Sequence, residues 1–170
     1  MKPLIFNSTP LIYITKIGLS KILETLEGEK YTTPLVKKEV VDKGKDKGVP
    51  DAFILEKLFE NNIFTVISPK NQQFLIMLLK TRGLHITDAE VLTVTKDYNG
   101  IAILDDDIAR KVAKIYVISH TGTPYLLIQA VNEKIITKDR AKQAIQEMIS
   151  AGWRCSIELY NKLIAIIENL

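Results

Sequence analysis

Two short runs of unbroken apolar residues, Leu4-Ile5-Phe6 and Ile101-Ala102-Ile103-Leu104, each stop abruptly at polar side chains. A strand with one wet face alternates apolar and polar residues; a run without alternation must be covered on both faces. Segments of helical spacing lie between the two runs. Strands alternating with helices bury such runs in a parallel sheet flanked by helices. The expected fold is therefore α/β, a three-layer α/β/α sandwich with a central parallel sheet. A chain of 170 residues, 46% hydrophobic and 25% charged, is long enough for one full core. No repeat, low-complexity stretch or linker divides it. Residues 1–170 read as one domain, with C-terminal helices over about 137–170 packing on it or on a second subunit.

Helix starts are marked by Thr9-Pro10, Thr33-Pro34 and Thr123-Pro124, each pairing an N-cap residue with a proline suited to the first helical position. Leu35, Val36, Val40 and Val41 recur at helical spacing, and Gly44 suggests the stop. The lysine-rich stretch 43–49 reads as a mobile surface loop. Helices are expected near 52–60 and 72–81, and a strand near 64–67. Thr87-Asp88-Ala89-Glu90 opens a further helix, with Glu90 at capping-box spacing from Thr87. Beyond the second apolar run, 109–114 reads as helix and 116–118 as strand. From Thr123 the chain is mostly helical: Ala141, Ile145 and Met148 form one stripe that Gly152 ends. The last helix, from Ser156, carries Ile157, Leu159, Leu163, Ile164, Ile166 and Ile167. That exceeds one packed face and points to a homodimer.

The single cysteine, Cys155, excludes an internal disulfide framework and reads as an inert thiol in a reducing cytosol. The first apolar run is too short for a signal-peptide core, and no apolar stretch approaches the roughly 20 residues of a membrane span. A cytoplasmic protein is expected. The formal charge of +3 does not by itself argue for a nucleic-acid partner.

The chemistry is suggested by where polar residues fall. Asn7 follows the first run, and Asp105 and Asp106 follow the second. Ligands of open α/β sheets bind beyond the carboxyl ends of the strands, where strand order reverses, so two such ends can meet in one crevice. Asp88, at a helix start, and Glu39, inside a helix, can join them. Clustered carboxylates repel and favour protonation unless a cation is present. Oxygen-only ligands suit Mg²⁺ or Mn²⁺, which can activate a water and stabilise an in-line phosphoryl transition state. With two histidines and one cysteine, zinc is a poor fit. Each acid also has a structural reading: Asp88 complementing a helix dipole, Asp105 and Asp106 capping a strand-to-helix turn. Glu39 is hardest to explain that way, being set among apolar neighbours. His85 and His120 have no partner spacing and read as incidental.

In order along the chain, five segments resemble PIN-domain proteins. Asn7-Ser8-Thr9-Pro10-Leu11-Ile12 is similar to their opening motif, and Val36-Lys37-Lys38-Glu39-Val40 to their second acidic element. Thr87-Asp88-Ala89-Glu90 resembles the third, Leu104-Asp105-Asp106 with Ala109-Arg110 the fourth, and Thr121-Gly122-Thr123 the Gly-Thr segment that follows. The subgroup resembled is a VapC-like branch from bacteria and archaea. The resemblance implies a metal-dependent endoribonuclease, with Mg²⁺ or Mn²⁺ bound by Asn7, Glu39, Asp88 and Asp106 and with Asp105 beside them in the catalytic set. Asn7, Ser8 and Thr123 would position substrate or water. It further implies RNA as the partner, held through phosphates by residues such as Lys16, Lys37, Lys38 and Arg110, and an antitoxin protein if the chain is the toxin of a pair. Asn7 stands where the family usually has aspartate, so the alternative is a catalytically weak or inactive PIN-like module that binds RNA or protein. A receiver-like phosphoacceptor fits less well, because its acidic pair follows the first strand.

Overall fold

The computed structural model describes residues 2–170. Its centre is a five-stranded, all-parallel sheet in the order β3-β2-β1-β4-β5. The strands are β1 (Leu4–Phe6), β2 (Lys30–Thr32), β3 (Thr65–Val66), β4 (Ile101–Ile103) and β5 (His120–Thr121). Ile5 lies opposite Tyr31 on one side and Ala102 on the other. The chain steps outward from β1 to β3, then crosses back to place β4 against the other edge of β1. Parallel crossovers are right-handed, so this reversal sends the connecting helices to opposite faces.

On the first face lie α1 (Ser8–Lys16), α2 (Ser20–Thr25) and α5 (Pro50–Glu60), joined by α9 (Thr123–Asn132), which packs on α1 and α2. On the second lie α6 (Gln72–Leu79), α7 (Ile86–Asp97) and α8 (Asp107–Ile115). The C-terminal pair, α10 (Lys138–Ser150) and α11 (Ile157–Glu168), packs on α9. The expected three-layer arrangement is thus the observed one. β1 and β4 are sealed from water: Ile5, Phe6, Ala102 and Ile103 are fully buried. Gly100 lets the strands close, since a Cβ there would fall 2.1 Å from Ile5 Cδ1 and 2.7 Å from the Pro3 carbonyl.

Several local expectations need correction. The helix after β1 starts at Ser8 with Asn7 as its cap, so Thr9-Pro10 lies inside the first turn. Thr33-Pro34 caps as expected, but Gly122 precedes a helix that already includes Thr123 and Pro124. Gly44 is not a stop. From Pro34 the chain runs through α3 (Pro34–Lys37), a π-helical turn (Lys38–Asp42) and α4 (Lys43–Asp46), and the left-handed residue that ends it is Gly48 at φ +68°. Most of the expected loop 43–49 is therefore helical. The strand expected at 116–118 forms instead at His120–Thr121; Tyr116 closes α8 and Val117 turns the chain at φ +54°. Glu90 makes no capping box. His85 occupies the cap position of α7, and the Glu90 carboxylate accepts from the Leu35 amide across the interface with α3, at 3.3 Å. Neither β2 nor α2 has a counterpart in the sequence reading.

Candidate active site at the carboxyl ends of β1 and β4

β1 and β4 are neighbours whose outgoing connections diverge, so their carboxyl ends open a crevice at the reversal of strand order. Asn7 emerges from β1, and its backbone amide extends the ladder by donating to the Ile103 carbonyl at 3.0 Å. Its side chain is buried and shared. Oδ1 accepts from the Ser8 amide at 2.8 Å, and Nδ2 donates to Asp88 Oδ1 at 2.5 Å. Asp88 arrives from the opposite face, in the first turn of α7, and is 5% exposed. The helix dipole favours a carboxylate there, as the structural reading held, but burial outweighs it. Desolvation is the largest influence raising the Asp88 carboxyl to about 6; the Asn7 hydrogen bond pulls it down, the charge of Asp106 pushes it up, His85, read as incidental from sequence, pulls it down, and Glu39 pushes it up.

Glu39 is carried by the π-helical turn, a wider coil than the α-helix and one often found at functional sites. Its Oε2 accepts from the buried Ser8 hydroxyl at 3.0 Å. Asp106 caps α8, accepting from the Ala109 amide at 2.8 Å through one oxygen. Asp105 is placed differently from its neighbour. Its Oδ1 accepts from the Thr123 amide at 2.8 Å, while Oδ2 accepts from the Thr123 hydroxyl at 2.6 Å and the Trp153 indole at 3.0 Å. It therefore anchors α9 and the α10–α11 connection to the end of β4. Trp153 was not among the residues singled out by sequence, and nothing local to it signals this contact. Gly122 makes room for the knot: a Cβ there would lie 2.8 Å from Asp105 Oδ1 and 3.1 Å from an Arg110 guanidinium nitrogen.

The crevice thus gathers Asn7, Ser8, Glu39 and Asp88, with Asp106 close enough to act on Asp88 electrostatically, and Asp105 and Thr123 bound to each other at its rim. The set is open: among the described residues no three histidine, cysteine, aspartate or glutamate side chains close on one point. Nor does Asp88 have an ion-pair partner among them.

A family model described as DUF3368, PIN domain, matches residues 3–169. The chain belongs to this PIN-domain family. PIN domains are generally nucleases that bind nucleic acid and use divalent metal ions. No curated protein matches this PIN domain. No helix among its described residues is long and apolar enough to cross a membrane.

Proposed function

We propose that this PIN domain is a metal-dependent endoribonuclease whose cation site is formed by Asp88, Asp106 and Glu39, with Asn7 at its edge. The observation that carries the reading is Asp88: a buried carboxylate, raised to about 6 although the Asn7 amide and His85 both favour its charged form, and facing two further acids. Such a group is costly to keep charged unless a cation joins it. A divalent ion here supplies Lewis acidity and charge for in-line phosphodiester cleavage.

The chain's own residues set the geometry. Ser8 donates to Glu39 and fixes its carboxylate; Asn7 holds Asp88 while capping α1. Asp106 spends one oxygen on its cap, and its charge acts on Asp88. Asp105 acts as a positioning residue, because its carboxylate is committed to Thr123 and Trp153. The exposed Lys16, Lys37 and Lys38 bind phosphates along the approach. The order of the motifs supports a VapC-like toxin of the cytoplasm, which implies an antitoxin encoded beside it. The apolar residues of α11 support a homodimer.

The test is incubation with mixed RNAs in EDTA, Mg²⁺ or Mn²⁺. Cleavage is expected only with a divalent ion, and Asp88→Ala and Asp106→Ala are each expected to abolish it without unfolding the protein. Full activity in both variants would remove the proposed site. Metal-independent binding without cleavage would favour the binding-module alternative, for which Asn7 is the supporting observation.

A further inference from the structure

Beside the acidic crevice lies a second cleft of about 430 Å³. It begins at Asp105 and Gly122 and runs outward between α9 and the α10–α11 connection. Its walls include two guanidiniums, Arg110 and Arg154, the carboxylates of Asp105 and Asp107, and two aromatic rings, of which Tyr125 is half-buried and Trp153 is 6% exposed with its indole donating to Asp105. Neither arginine has an ion-pair partner among the described residues. Arg110 donates to the Leu104 carbonyl at 3.3 Å, which holds it just beyond the end of β4. The volume falls in the range of small-ligand sites. Arginines without ion-pair partners beside an accessible aromatic face, here Tyr125, form the chemistry that holds single-stranded nucleic acid, with a base stacking on the ring and phosphates meeting guanidiniums.

We infer that this cleft is a nucleotide-binding subsite: it takes one unstacked base of a single-stranded RNA, with a flanking phosphate on Arg110 and Arg154. The inference rests on RNA being the substrate of the neighbouring acidic site, and it names which form of RNA reaches that site. A base paired in a duplex is stacked on its neighbours and shows only an edge, so it cannot enter a walled cleft. The Asp105–Trp153 hydrogen bond ties the cleft wall to the end of β4, so a base seated there lies next to the carboxylates. The C-terminal helices thereby become part of substrate recognition.

Trp153 is the sole tryptophan of the chain and lines the cleft, so its emission reports occupancy directly. The experiment titrates the 170-residue chain, in EDTA, with a single-stranded RNA hexamer and with a duplex of the same sequence. Saturable quenching by the single strand, absent with the duplex at equal nucleotide concentration, is expected. Arg154→Gln, at an exposed position, and Arg110→Gln should each weaken binding roughly tenfold, since each removes a charged phosphate contact. Equal quenching by duplex, unchanged affinity in both variants, or no quenching at all would overturn the subsite. A parallel cleavage assay separates the two claims. RNA cut by a protein that shows no quenching leaves the nuclease standing without the cleft. Quenching that follows the expected pattern without any cleavage leaves the cleft standing without the nuclease.

Discussion

Burying a carboxylate without a cation is costly, and Asp88 puts that cost where it can be measured. Its carboxyl moves from 3.8 to about 6 in the folded protein, mainly through desolvation. An acid whose pKa is raised by folding stabilises the fold while protonated. That contribution is whole below about pH 4 and is lost as pH rises through 6, on the order of 2–3 kcal/mol for a shift of this size. Asp88→Asn is therefore expected to be more stable than wild type at pH 7.5 in EDTA, with the advantage fading toward pH 4; urea denaturation at both pH values checks this, and parallel pH profiles would clear Asp88 of the effect. Asn7 permits a converse test. Its Nδ2 donates to Asp88, a service that an aspartate cannot perform, so Asn7→Asp should lower the metal-free melting temperature. The added charge should tighten Mg²⁺ or Mn²⁺ roughly fivefold, corresponding to a net gain of ~1 kcal/mol. Titration calorimetry showing equal affinity would place Asn7 outside the cation site. At this scale Asp88, Asp105 and Asp106 could be picked out from sequence because they follow a strand end or start a helix, and Glu39 because it sits among apolar neighbours inside one. Trp153 could not, since its partner Asp105 is distant in the chain. Glu90 was misread because the Thr87–Glu90 spacing carries no information about an amide on another helix.

The elements that were legible are those that must exclude water. β1 and β4 are unbroken apolar runs because both of their faces are covered, whereas β2 and β5 contain lysine, tyrosine, histidine and threonines. β2 is held by its backbone register and by the Thr32 hydroxyl, which donates to the Phe6 carbonyl at 2.8 Å, and neither device leaves an apolar pattern. The apolar stretch 116–118 misled for the opposite reason, since Ile118 is buried at a turn rather than in a strand. The π-helical turn that presents Glu39 was likewise invisible, and Gly44 beyond it marks a crossing, not an end. A Cβ at Gly44 would fall 2.7 Å from that of Ala52 on α5. Gly44→Ala should cost about 1–3 kcal/mol by overpacking, and adding Ala52→Gly should recover part of it. Thermal melts of the two singles and the double test this; strict additivity would mean the helices part without strain.

For the whole molecule, the alternation of strands and helices predicts a parallel sheet but not its strand order, and the crevice follows from the reversal in the observed order. What the C-terminal pair does was less legible, because a helix with surplus apolar residues does not say what covers them. Leu163 and Ile167 are buried, while Ile157 is 82% exposed and Ile166 36%. A homodimer through this face is expected, and light scattering at tens of micromolar should give twice the chain mass of 19.2 kDa; the mass of a single chain would refute it. The pairing of Leu4 with Ile101 has a consequence of another kind. During synthesis the first strand leaves the ribosome long before its partner exists, and the anchor at Trp153 comes later still. Contacts so distant in the chain form slowly and late. A nascent chain that has made Asn7, Ser8 and Glu39 thus still lacks the Asp88 and Asp106 carboxylates that complete the crevice. The topology leaves the acidic crevice unassembled until β4 has been made and paired with β1.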